Sequence, residues 1–238
     1  MRLRYRPATW GRLLARLGLC LAAFALLCAL TGLSPTRRLA LLRGRASAHF
    51  YPAQVLCGFS DPKLDCYHSG ECYYVTRREG WICLSPLERT GPLWREVHPM
   101  PVPIDRPLTA FLVDYADHLE CRYQSPRSIE LLERGSRALW LLYTPDPAVA
   151  RVTATEVRRN ADLPNPPAEA LPCEAVEAAP GSGVWLINTA RPTDVGGFGL
   201  YDLELVDVYA YGADGALLYT LDRVGGVSVI LSDTIPPT

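Results

Sequence analysis

The densest set of side chains able to do chemistry is Asp114, Asp117, His118 and Glu120. On a helix, Asp114 lies one turn before His118 on the same face, where a carboxylate can orient an imidazole to act as a general base. Asp117 would add a second carboxylate beside it. The combination is suited to hydrolysis, but its other parts are missing. No G-x-S-x-G stretch supplies a nucleophile and no H-E-x-x-H stretch supplies a metal. A solvated polar helix face accounts for the same four residues. His98, between Val97 and Pro99, has no ionisable cluster around it.

The cysteines form the second set. Cys57, Cys66, Cys72, Cys83, Cys121 and Cys173 are even in number, and four of them fall within 27 residues. Zinc sites favour C-x2-C pairs, and here the gaps are longer. Cys66, His68 and Cys72 make the one compact group, so no metal site and no cofactor is expected. The spacing predicts a disulfide framework of open pairing and, with it, an oxidising compartment. Tyr73, Tyr74 and Trp81 lie around the cysteine-rich hairpin. They are read either as a contact surface of rigid aromatics or as rings packed over the disulfides.

The element that must position all of this is Leu17 to Leu33, seventeen residues without a charge. With Trp10, Leu13 and Leu14, and with Arg12 and Arg16 snorkelling, it reaches the roughly 20 residues needed to cross hydrocarbon. A cleaved signal peptide is the rival reading. Its only small-x-small site, Ala46-Ser47-Ala48, lies far beyond the apolar run and behind four arginines, so an uncleaved signal anchor is preferred. Residues 1–48 carry nine arginines and no acid, whereas residues 49–238 carry fifteen basic against twenty-five acidic side chains. The basic part suits lipid headgroups, and the acidic part excludes nucleic-acid binding. Arginines 2, 4, 6, 12 and 16 precede the span and 37, 38, 43 and 45 follow it, so charge bias alone barely orients it. The expected disulfides decide for a carboxy-terminal part outside the cytoplasm. The arginine bias and the lack of any Asn-x-Ser/Thr acceptor point to a high-GC bacterium.

Beyond the anchor, Cys72 to Thr76 and Trp81 to Leu84 read as strands joined by a loop over 77–80. Pro86 to Pro107 holds six prolines and reads as an extended covering strap. Asp105 caps an expected helix carrying Leu108, Phe111, Leu112, Tyr115 and Leu119, and a second short helix is expected over Ser128–Gly135. Ala138 to Tyr143 reads as a buried strand, and residues 147–160 as helix or strand. A proline-rich loop follows, tacked down by Cys173. Alternation from Val184 onward, with Asp214-Gly215 between two runs, predicts an antiparallel meander. Val195 to Gly199 is a glycine-rich turn with no following helix or nearby lysine to hold phosphate.

The fold class is therefore α+β: an N-terminal transmembrane helix, then a disulfide-stapled, mainly antiparallel β domain with two or three short helices. The expected divisions are a basic cytoplasmic arm (1–16), the anchor (17–33), a juxtamembrane segment (34–56), a cysteine-containing α+β part (57–182) and the meander (183–238). A single-pass bacterial inner-membrane protein with a periplasmic domain follows. Its expected role is that of an accessory, inhibitory or scaffolding partner in an envelope complex, with lipid and protein partners. The alternatives are an anchored hydrolase using His118 and its neighbouring carboxylates, or a small-ligand binding module.

Overall fold

The structure, a computed structural model, describes residues 10–60, 70–96, 99–116, 136–160, 168–191 and 201–225. Two helices, α1 (Trp10–Thr31) and α2 (Arg37–Ser47), precede the strands. These are β1 (Gln54–Phe59), β2 (Gly70–Arg78), β3 (Trp81–Thr90), β4 (Leu93–Glu96), β5 (Met100–Pro103), β6 (Thr109–Ala116), β7 (Ser136–Tyr143), β8 (Val149–Asn160), β9 (Glu169–Glu174), β10 (Val176–Glu177), β11 (Val184–Arg191), β12 (Tyr201–Gly212) and β13 (Leu217–Gly225). All described pairings are antiparallel.

α1 is long and apolar enough to cross a membrane, and its leucines lie exposed along its length. Twenty-two residues at 1.5 Å each give about 33 Å, close to the thickness of bilayer hydrocarbon. It stops where Gly32 takes a φ of +74°, a left-handed value that ends helices.

The strands form three sheets. The first runs β1-β2-β3-β4 with β5 also on β3, the second β10-β11-β7-β6, and the third β13-β12-β8-β9. Side-chain alternation shows how they stack. Trp140 and Leu142 of β7 point, with Trp185 and Ile187 of β11, to Val152, Leu203, Leu205 and Val208 of the third sheet. Leu141 and Tyr143 point the other way, to Tyr73, Val75, Ile82 and Leu84 of the first sheet. The outer face of that first sheet is covered by α2, whose Ala40 and Leu41 pack on Cys72, Leu87 and Trp94. The order of layers is thus α2, first sheet, second sheet, third sheet. The middle sheet is buried on both faces, which is why Leu139-Trp140-Leu141-Leu142-Tyr143 is continuously apolar.

Several expectations are corrected. The helix expected after Asp105 is the strand β6, paired with β7. Its register shifts between Leu112 and Asp114, and a bulge in a strand buried on both faces breaks strict alternation, so the apolar spacing imitates a helix. Of residues 147–160, read as helix or strand, Val149–Asn160 form the strand β8 after a turn at 147–148. Pro86, expected in a connection, lies inside β3 opposite Tyr73. On its other side β5 pairs only with Trp81–Leu84 and β4 only with Leu87–Thr90, so the residue that cannot donate faces the break between them. β9 is a strand containing Pro172 and Cys173 rather than a loop. The expected meander divides: β11 returns to β7 in the middle sheet, while β12 and β13 pair in the third, around the Asp214-Gly215 turn. The helix expected over 128–135 lies outside the described residues, as do the last residues of the expected meander, 226–238.

No disulfide joins any two described cysteines, which overturns the expected staple; Cys66 and Cys121 lie outside the described residues. Alternation explains it. Cys57 points toward the middle sheet, whereas Cys72 points to the α2 side. Cys83 also faces that side, beside Ser85, but it pairs with Thr76 while Cys72 pairs with Leu87. Four residues of strand separate them by about 13 Å, beyond the reach of a disulfide.

Candidate functional site

The hydrolytic set is not assembled among the described residues. Asp114 lies on strand β6, with its backbone opposite Leu139. Asp117 and His118 lie outside the described residues. Of the expected aromatic surface, Tyr73 is 2% exposed and stacks on Phe59 at 5.3 Å, so it belongs to the core and not to a contact face. Tyr74 is half-buried, its ring lying over Gly58, and Trp81 is half-buried at the start of β3. Among the described residues no group of three His, Cys, Asp or Glu side chains could hold a metal ion.

Among the described residues, two clusters not legible in the sequence carry buried charge. The first joins the second and third sheets. Trp140 Nε1 donates to Glu156 Oε2 at 2.7 Å, Arg158 Nε to Glu156 Oε1 at 2.6 Å, and Arg158 Nη2 to Thr189 Oγ1 at 3.0 Å. Thr189 Oγ1 in turn donates to Glu156 Oε2 at 2.7 Å. Glu156 and Arg158 are 0% and 3% exposed. Each charge has its opposite and several hydrogen bonds, the condition under which an ion pair can be buried. Removing one partner of such a pair costs about 3–5 kcal/mol. The cluster is closed to solvent and locks β7, β8 and β11 in register.

The second cluster lies under α2. On β4, Trp94 and Glu96 alternate onto the helix side, and Glu96 comes to rest beneath Gly44. A methyl group at residue 44 would stand 1.6 Å from Glu96 Oε2, so only glycine lets the helix lie so close. Neither carboxylate oxygen has a hydrogen-bond partner. Burial pushes the Glu96 carboxyl up to about 7, against the opposing pull of the Ser85 hydroxyl, which is nearby but outside hydrogen-bond geometry, and of the Arg45 guanidinium. Arg45 is 4% exposed and is held by the carbonyls of Leu41 (3.2 Å) and Ala53 (3.1 Å). Burial pulls it below the ordinary arginine range, with Glu96 acting against that. Burial also pushes the neighbouring Cys83 thiol up to about 12, where it stays protonated and unreactive. The cluster can take up a proton near neutrality, and it offers no activated nucleophile.

The same face ties α1 to the sheets. Ser34 exchanges backbone hydrogen bonds with Trp94 at 2.7 and 2.8 Å. Thr36 caps α2 through Leu39 N. Arg43 donates to the carbonyls of Cys28 and Ala29, both at 2.6 Å, and so satisfies the exposed carboxy-terminal end of α1 with a cation. The Arg37 guanidinium lies 4.4 Å from the centre of the Trp94 ring, at a cation–π distance. One cue was available in the sequence: a glycine inside a short arginine-rich helix signals close packing. Glu96, placed in a proline-rich stretch, gave none. Compared with known proteins, the chain matches no family model, no curated protein and no solved structure.

Proposed function

We propose that this chain is a single-pass bacterial inner-membrane protein, amino terminus in the cytoplasm and β stack in the periplasm. There it serves as an accessory, inhibitory or scaffolding partner in an envelope complex. The observation that carries the reading is the junction of α1 and the sheets. An exposed apolar helix is fastened to the stack by the Ser34 and Trp94 backbone pair and by Arg43, with no free linker between. Such a joint holds the strands at a fixed height above a bilayer, as suits a part presented to neighbouring membrane proteins.

Orientation rests on charge, since the described cysteines give it no support. Three of the four arginines after the span have work in the fold: Arg37 on Trp94, Arg43 on α1 and Arg45 beneath α2. That gives them a role apart from retention on the cytoplasmic side, whereas the five before the span fit the positive-inside pattern.

Two measurements test this reading. In spheroplasts, protease added outside should digest the strands and leave a short membrane-protected fragment. Crosslinking in intact membranes followed by capture should recover an envelope protein in a defined ratio. Full protection from outside protease would sink the topology, and recovery of this chain alone would sink the partner role.

A further inference from the structure

We infer that α2 is a second membrane contact: an interfacial helix whose outward side lies in the headgroup region of the leaflet beside the β stack, on anionic phospholipid. The inference rests on α1 being the anchor.

An eleven-residue helix has two sides, and here both are defined. Ala40, Leu41, Gly44 and Arg45 face the first sheet. Helical spacing puts Leu39, Leu42 and Ala46 on the opposite side, with Arg38 at the edge between the two sides. Leu39 is 46% exposed, Arg38 and Ala46 are exposed, and Leu42 is half-buried. The outward side is therefore an apolar strip flanked by arginine, the pattern of helices that lie in a bilayer interface.

Exposed leucines alone mean little. Position is the second argument. Only residues 32–36 separate the helices, and Arg43 holds α2 within one side-chain length of the last turn of α1. If α1 spans, its last turn lies where hydrocarbon meets headgroups. α2 must then lie at the same depth. Its buried side is already taken by β3 and β4, so the strip is what remains to face the lipid. Arg38 is exposed, has no hydrogen-bond or ion-pair partner among the described residues, and is placed at the edge of the strip to meet a phosphate, an attraction that anionic lipid strengthens.

The test uses the full chain with a photocrosslinking amino acid at Leu39 or Ala46, reconstituted in phosphatidylcholine vesicles with and without phosphatidylglycerol. The same group at Leu19, exposed on α1, reports insertion of the span. At Val176, exposed on β10, it reports background. Positions 39 and 46 should form lipid adducts at least about tenfold above Val176, as an interfacial face requires. Phosphatidylglycerol should raise the yield, and Arg38→Glu should abolish that rise. Strong adducts at Leu19 with only background at 39 and 46 would overturn the inference while leaving the anchor in place. Background at Leu19 too would remove the anchor and this contact with it. A phosphatidylglycerol response unchanged by Arg38→Glu would overturn the assignment of Arg38 to the headgroups.

Discussion

Glu96 shows how far a residue's chemistry is set by what is laid over it. Nothing near it in sequence marks it for burial, yet β4 turns it toward α2 and Gly44 closes over it. Its carboxyl is raised from 4.5 to about 7, so the folded protein holds that proton more tightly than the unfolded chain does. The resulting stabilisation is fully present below pH 4.5 and is lost as pH rises through about 7. The loss is at most about 3 kcal/mol across that window. Glu96→Gln, which stays neutral, should flatten this part of the stability profile and leave the variant more stable than the parent above pH 7. Denaturant unfolding in detergent at a series of pH values measures it. Parallel profiles for parent and variant would show that Glu96 does not titrate as its burial requires.

At the scale of elements, β7 and β6 show where pattern reading works and where it fails. The apolar run of β7 is legible as a buried strand because a strand covered on both faces needs no polar alternate. β6 has the same surroundings plus a bulge, and the two together resemble helical spacing. The double burial of β7 has a measurable consequence. Leu141 and Leu142 point to different cores and are both 0% exposed. Leu141→Ala and Leu142→Ala should each destabilise the protein by about 2–5 kcal/mol. Denaturant midpoints compare them directly. A small effect at either site would mean that one of the two layers is not packed on β7. The helix α2, by contrast, is legible in the sequence only as juxtamembrane chain. Four arginines in eleven residues do not look like a packed helix until Arg43 and Arg45 are seen bonding to carbonyls.

At the scale of the whole molecule, one apolar helix is fastened to a layered β stack through Ser34, Trp94 and Arg43, so attachment to a bilayer through α1 would also fix the placement of the stack. Replacing Leu26 and Leu27, both more than half exposed on α1, with arginine should cost about 5–7 kcal/mol of insertion free energy. Membrane fractionation should then find the variant off the bilayer. If it sediments with membranes as the parent does, α1 is not the anchor. The sequence by itself determined α1, the β character of most of the chain and the hairpin at Asp214-Gly215, because length, apolar runs and turn residues act locally. Tertiary structure alone decided which strands share a sheet, that β11 leaves β12 for β7, that Cys57 and Cys72 point to opposite faces, and that Glu96 lies under Gly44. These are contacts between residues distant along the chain. Their energies depend on which faces meet, and a one-dimensional pattern does not contain that.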